Sequence, residues 1–424
     1  MTIEISNLSN SLTVITDPMA SLESAALGVW VSTGSRNERP SEMGLSHMLE
    51  HMAFKGTTTR NARQIAEEIE AVGGYLNAYT SREQTAFHAR ILKDDVGLAL
   101  DLIADILVNP TFLAEELERE RQVVLQELGQ ARDTPDDIIF DHLQEAAYPN
   151  QPLGWAVLGE EATVRAFTPA ALRDYSGRRY RAEAMTLVSS GAVDHRKIVT
   201  MAEEKFARLA VGPSEPTAPG RYIGGDFRLE EDLEQAHIVY AFPGVASKDP
   251  DFYLAQIHAT ILGGGMSSRL FQEAREKRGL CYSIYAFANN FQDTGFTGIY
   301  AGTGEREAGE LSAVVAGEME AMTAGIGDGE LARAKAQLKS GLLMGLERPG
   351  TRAEQIAGQI FTLGHLQSVS EIVAQIDAVD ADALRGYAAR IMTAPTIAAM
   401  GPVKKLERHD IFAARFASGR QAAE

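Results

Sequence analysis

The chain has 424 residues, 45% of them apolar and 23% charged, and carries a formal net charge of -18. That length exceeds one ordinary core and points to two domains; the acidic balance repels nucleic-acid phosphates and anionic lipid and suits basic or cationic partners. Its one cysteine, Cys281, allows no internal disulfide and no thiolate-rich metal site, so a metal here must be held by His, Asp or Glu.

The opening residues, Met1-Thr2-Ile3-Glu4-Ile5, contain neither a basic region nor an apolar run, so no leader peptide is expected. No apolar stretch is long enough for a membrane span, and the reading is a cytoplasmic protein. Leu12–Thr16, Ala26–Val31 and Thr85–Ile91 show strand-like alternation or apolar runs. Val96–Val108 and Leu113–Ala131 show apolar spacings of three and four, which predict helices, with Asn109-Pro110 breaking the chain between them.

Residues 47–51 read His-Met-Leu-Glu-His. On a helix, positions i and i+4 share a face, so His47 and His51 can turn both imidazoles to one ion. Glu50 lies at the edge of that face, placed to take a proton from a water beside the metal. A catalytic zinc site needs a third protein ligand. The acidic helix that follows offers Glu120 and Glu127, seven residues apart on one face, and spacing does not choose between them.

Val211–Gly220, with three prolines and two glycines, reads as a linker near the midpoint. The two sides repeat: Ala171-Leu-Arg-Asp-Tyr175 recurs as Ala383-Leu-Arg-Gly-Tyr387, and Thr186–Gly191 has its counterpart in Thr396–Gly401. Glu116-Leu117 and Glu330-Leu331 open similar helices. A duplicated pair of domains is therefore expected, at residues 1–210 and 221–424 around the linker at 211–220. Strands and helices cluster rather than alternate, which favours an α+β class, each domain an antiparallel-rich sheet packed with helices.

Gly44-Leu-Ser-His-Met-Leu-Glu-His-Met-Ala-Phe-Lys-Gly-Thr57 resembles the active-site segment of the pitrilysin-type (M16) zinc peptidases, which carry the inverted H-x-x-E-H motif. The likeness is greatest to the mitochondrial processing peptidase β-subunit and its bacterial relatives. It implies one zinc ion per chain, held by His47, His51 and Glu127, with Glu50 as general base and Glu120 supporting the site. Gly73-Gly-Tyr-Leu-Asn-Ala-Tyr-Thr80 is similar to the family's substrate-binding edge strand, implying that Asn77 and Ala78 hold the peptide backbone. Gly263–Phe271 resembles the family's glycine-containing segment, and Arg275 and Tyr282 match a pair that faces the zinc across the chamber.

The second half carries no such site. With Gly265 set against Gly56, Gln256, Ala259 and Thr260 stand where His47, Glu50 and His51 do. With Glu330 against Glu116, Ala334 and Gly341 replace Glu120 and Glu127. The expected function is a zinc metalloendopeptidase acting on short or unfolded peptides, basic ones included. Single-chain members of the family contain four such domains, so a homodimer is expected of this chain. The rival class, a non-catalytic structural or peptide-binding subunit, is one whose members lose part of the motif.

Overall fold

The computed structural model describes residues 3–416. Met1 and Thr2, which open the segment read for a leader, and residues 417–424, which end the second expected domain, lie outside the described residues. The chain forms two compact units, each of three segments. The first comprises the residues up to Gly129, Trp155–Ala218 and Leu343–Leu366; the second comprises Gln130–Gly154, Pro219–Leu342 and the residues from Gln367 on.

The first unit is built on a six-stranded sheet. In chain order its strands are β1 (Glu4–Asn7), β2 (Thr13–Pro18), β3 (Ser24–Val31), β4 (Tyr75–Thr80), β5 (Thr85–Leu92) and β6 (Met185–Gly191), and their order in space is β1-β2-β6-β3-β5-β4. Only β2 and β6 run parallel; every other pair is antiparallel. Successive side chains point to opposite faces of a strand, and the core divides accordingly. Val14, Val29, Phe87 and Leu187 enter the main core with the helices α1 (Leu45–Ala53), α2 (Ala62–Ala71), α3 (Val96–Val108) and α4 (Ala114–Arg132). Their neighbours Ile15, Trp30, Ala86 and Val188 face the other way and are covered by Ala353, Ile356 and Ala357 of the helix Pro349–Leu363.

A buried ion pair, Arg352 with Asp17, and the bond from Trp30 Nε1 to Glu354 (3.1 Å) fix that helix to the sheet. Breaking such a pair by removing one partner typically costs about 3–5 kcal/mol, because the remaining charge stays buried.

The second unit repeats the plan with β7 (Gly225–Glu230), β8 (Ala236–Pro243), β9 (Cys281–Asn290), β10 (Gly295–Thr303) and β11 (Thr396–Gly401), ordered β7-β11-β8-β10-β9. Its parallel pair is β7 with β11, the counterpart of β2 with β6. One face, bearing Ile238, Tyr240, Ile299 and Ile397, packs on the helices Phe252–Gly263, Ala308–Ala324 and Ala381–Ile391. The other face, bearing Val239, Ala241, Ala398 and Met400, receives Ile139 and Leu143 of α5 (Pro135–Ala147).

The fold is therefore α+β, with two sheet-and-helix units of like topology. The two compact units are not contiguous stretches of the chain. α5, from the first half of the chain, buries its apolar face on the second sheet, while Pro349–Leu363, from the second half, buries its face on the first. One crossing between units, Ala218 to Pro219, falls inside the Pro/Gly-rich segment. Among the described residues, no helix is long and apolar enough to cross a membrane.

Candidate metal centre

α1 begins at Gly44, whose φ of 90° is left-handed backbone and whose hydrogen stands where a Cβ would meet Leu158 O at 2.6 Å. Glu38 caps the helix. Its two carboxylate oxygens accept the backbone N–H groups of Gly44 (2.9 Å) and Ser46 (2.7 Å), which the first helical turn leaves unpaired. Burial pushes the Glu38 carboxyl up to about 8, even though the bonds from Ser46 and Gly44 oppose the shift. Leu45, Met48, Leu49 and Met52 bury one face of α1. His47 and His51 project from the rest, their ring centroids 4.5 Å apart.

α4 buries Leu117, Val124 and Leu128 and brings two carboxylates to the same place. Glu127 Oε2 lies 3.7 Å from His47 Nε2 and 3.6 Å from His51 Nε2. Glu120 is deeper, and both of its oxygens are taken: Oε2 by His51 Nδ1 at 3.0 Å and Oε1 by Lys55 Nζ at 2.8 Å.

These atoms fit a divalent ion. Zinc–ligand bonds of about 2.1 Å at tetrahedral angles hold ligand atoms about 3.4 Å apart, close to the separations found here. Glu127 Oε2 and His47 Nδ1 are buried without a hydrogen-bond partner. A carboxylate oxygen left bare between two imidazole nitrogens is costly unless a cation joins them. Among the described residues, His47, His51 and Glu127 form the one group of His, Cys, Asp or Glu placed to hold a metal.

Burial and the neighbouring charges shift the two imidazoles in opposite directions. Burial, assisted by His51, depresses the His47 imidazole to about 3, keeping it neutral and able to ligate. For His51, burial pulls the same way but is outweighed by the bond to Glu120 and the charges of Glu127 and Glu50, so its net shift is upward. Burial also raises Glu50, against the bond from Thr80 Oγ1 to its Oε2 (2.6 Å) and the charge of His51. Glu120 is held below the usual carboxylate range: burial would raise it, but the bonds from His51 and Lys55 prevail.

Asn77 and Ala78 lie on β4, which among the described residues pairs with β5 alone and forms the edge of its sheet. Asn77 Oδ1 accepts the Ala78 N–H at 2.9 Å. Arg275 and Tyr282 belong to the second unit, where the Arg275 guanidinium lies 4.5 Å over the Phe271 ring and 5.4 Å over Tyr282, itself 77% exposed. Glu38, Lys55 and Thr80, which serve this centre, were not singled out by the motifs. Their contacts join residues six to sixty-five positions apart, beyond any helical or strand period.

The family model described as "Insulinase (Peptidase family M16)" matches residues 13–161, and "Peptidase M16 inactive domain" matches residues 166–338. A Rickettsia felis protein named as an uncharacterized zinc protease is 40% identical over 400 residues, covering 94% of this chain and 97% of its own. A probable mitochondrial-processing peptidase subunit beta from Arabidopsis thaliana is 35% identical, over 97% of this chain and 80% of its own. Among solved structures, a protease from Helicobacter pylori superposes with a TM-score of 0.87 over 95% of this chain and 99% of its own, at 21% identity. The peptidase M16 inactive domain from Pseudomonas fluorescens gives 0.88 over 96% and 100%, at 20% identity. At such identities these two structures speak for the fold, whereas the sequence matches over nearly the whole length carry the assignment: this chain belongs to peptidase family M16, with its H-x-x-E-H motif in the first of the two matched regions.

Proposed function

We propose that the protein is a zinc-dependent metalloendopeptidase that hydrolyses peptide bonds in short or unfolded polypeptides. The observation that carries this is the convergence of His47 Nε2, His51 Nε2 and Glu127 Oε2, with Glu50 immediately before His51 on α1. Zinc held there by His47, His51 and Glu127, one ion per chain, would supply Lewis acidity toward a water and toward the scissile carbonyl. Glu50 takes the proton of the attacking water and delivers it to the leaving amine. Glu120 orients His51 by accepting its Nδ1–H, and Lys55 keeps Glu120 ionised. The free edge of β4 suits a peptide added as a further strand, with Asn77 and Ala78 at the pairing positions; main-chain pairing accepts many sequences. A net charge of -18 favours basic segments.

Purified protein is expected to contain one zinc per chain and to cleave an unstructured peptide. Chelation abolishes cleavage, and added zinc restores it. Cleavage that survives complete removal of metal refutes the proposal.

The working form in this reading is a homodimer in which Arg275 and Tyr282 of one chain serve the zinc centre of the other, holding substrate or steadying the oxyanion. Glu50→Gln chains mixed with Tyr282→Phe chains, each nearly inactive alone, are expected to regain a sizeable fraction of wild-type activity. A mixed dimer then holds one intact composite site. No recovery, with subunit exchange confirmed, means that the tyrosine does not act in trans.

A further inference from the structure

Glu50 does not stand freely beside the metal centre. Its Oε2 accepts a 2.6 Å bond from Thr80 Oγ1, thirty residues along the chain at the end of β4. β4 is itself anchored on both faces. Leu76 and Ala78 pack into the main core on the α1 side, whereas Tyr79 points to the other side and donates its hydroxyl to Glu354. Glu354 also accepts from Trp30 Nε1 and from Gln84 Nε2 (3.3 Å), the latter in the hairpin that follows Thr80. The Thr80 hydroxyl is thus presented from a fixed strand end, and a β-branched side chain has few rotamers to lose.

The second unit allows a test of whether the bond merely braces the fold. Its hairpin is closed in the same way: Phe291 N donates to Thr294 O at 2.8 Å, as Ser81 N donates to Gln84 O at 2.8 Å. Asn290 stands where Thr80 stands, and Ala259 where Glu50 stands. Asn290 bonds instead to Gln256 (2.8 Å) and to Val245 O (2.7 Å). The same architecture therefore forms without a hydroxyl–carboxylate pair, and the pair occurs beside the complete ligand set.

We propose that Thr80 is a positioning residue for the general base: its hydroxyl holds one oxygen of the Glu50 carboxylate and so directs the other toward the attacking water. Because Thr80 terminates the edge strand, the same strand that would pair with substrate also orients the base. This inference rests on the peptidase reading above.

The test compares Thr80→Val, which keeps the branched shape and removes the donor, with Thr80→Ser, which keeps the donor. Hydrogen bonds to charged groups are worth enough that kcat should fall by about tenfold to a hundredfold in Thr80→Val. Zinc content should stay at the wild-type level and KM should hold within about twofold. Thr80→Ser should recover kcat to within about threefold of wild type. A Thr80→Val enzyme with unchanged kcat overturns the inference alone, since wild-type cleavage is then intact. Joint loss of zinc and rise in KM also overturns it, by showing a structural role. A wild-type protein that binds zinc but cleaves nothing overturns the peptidase reading and this inference with it.

Discussion

Glu50→Gln is expected to keep its zinc and lose its activity. Glutamine preserves the size of the side chain and can still meet the Thr80 hydroxyl through its carbonyl oxygen, but it has no basic oxygen to accept a proton. Glu50 is absent from the converging trio of His47, His51 and Glu127, so the ligand set is unaltered. Positioned general bases contribute about a hundredfold to ten-thousandfold, and kcat should fall by that amount while metal content and folding stay as in wild type. Metal analysis and single-turnover cleavage on the same preparation decide the matter. Full activity in this variant would remove the water-activation mechanism; loss of zinc together with activity would place Glu50 among the ligands.

Some of this centre is legible without coordinates. His47, Glu50 and His51 lie within one helical turn, where a period of 3.6 residues dictates which side chains share a face. The helices Val96–Val108 and Ala114–Arg132 and the strands ending at Val31 and Gly191 are likewise set by local apolar periodicity. Other features depend on contacts that no local period encodes. Spacing leaves Glu120 and Glu127 equivalent; they differ because Glu120 meets Lys55 and His51 Nδ1, while Glu127 Oε2 meets both Nε2 atoms. Glu38 reaches the start of α1 across a loop. The destinations of α5 and of Pro349–Leu363 were invisible for a related reason. An amphipathic helix declares that it has an apolar face, not which sheet that face will cover. In β4 the faces alternate, Leu76 and Ala78 toward the main core and Tyr79 away from it, but two of the outward residues are tyrosines, so the sequence shows no clean polar–apolar period.

Glu127→Gln is expected to release zinc, whereas Glu120→Gln retains most of it. At position 127 the buried Oε2 lies 3.7 Å from His47 Nε2 and 3.6 Å from His51 Nε2 and has no hydrogen-bond partner among the described residues. Replacing it with an amide removes the negative charge that offsets the ion and leaves a weaker ligand, so metal affinity and activity should fall together. Glu120 acts through others: it holds His51 by Nδ1 and is itself held by Lys55. In Glu120→Gln the amide oxygen can still accept from His51 Nδ1, so ring orientation is largely kept, while the basicity lent to the ligand is lost. Changes of that kind cost about 10–100-fold in affinity or activity, and at saturating zinc the loss should appear in kcat. The measurement is zinc titration of the two apoproteins against a competing chelator, with cleavage assayed at saturating metal. Glu127→Gln should bind zinc more weakly than Glu120→Gln by at least tenfold. The reverse order would mean that the carboxylate in direct contact with the metal is the one beside Lys55, and that α4 must turn to present it.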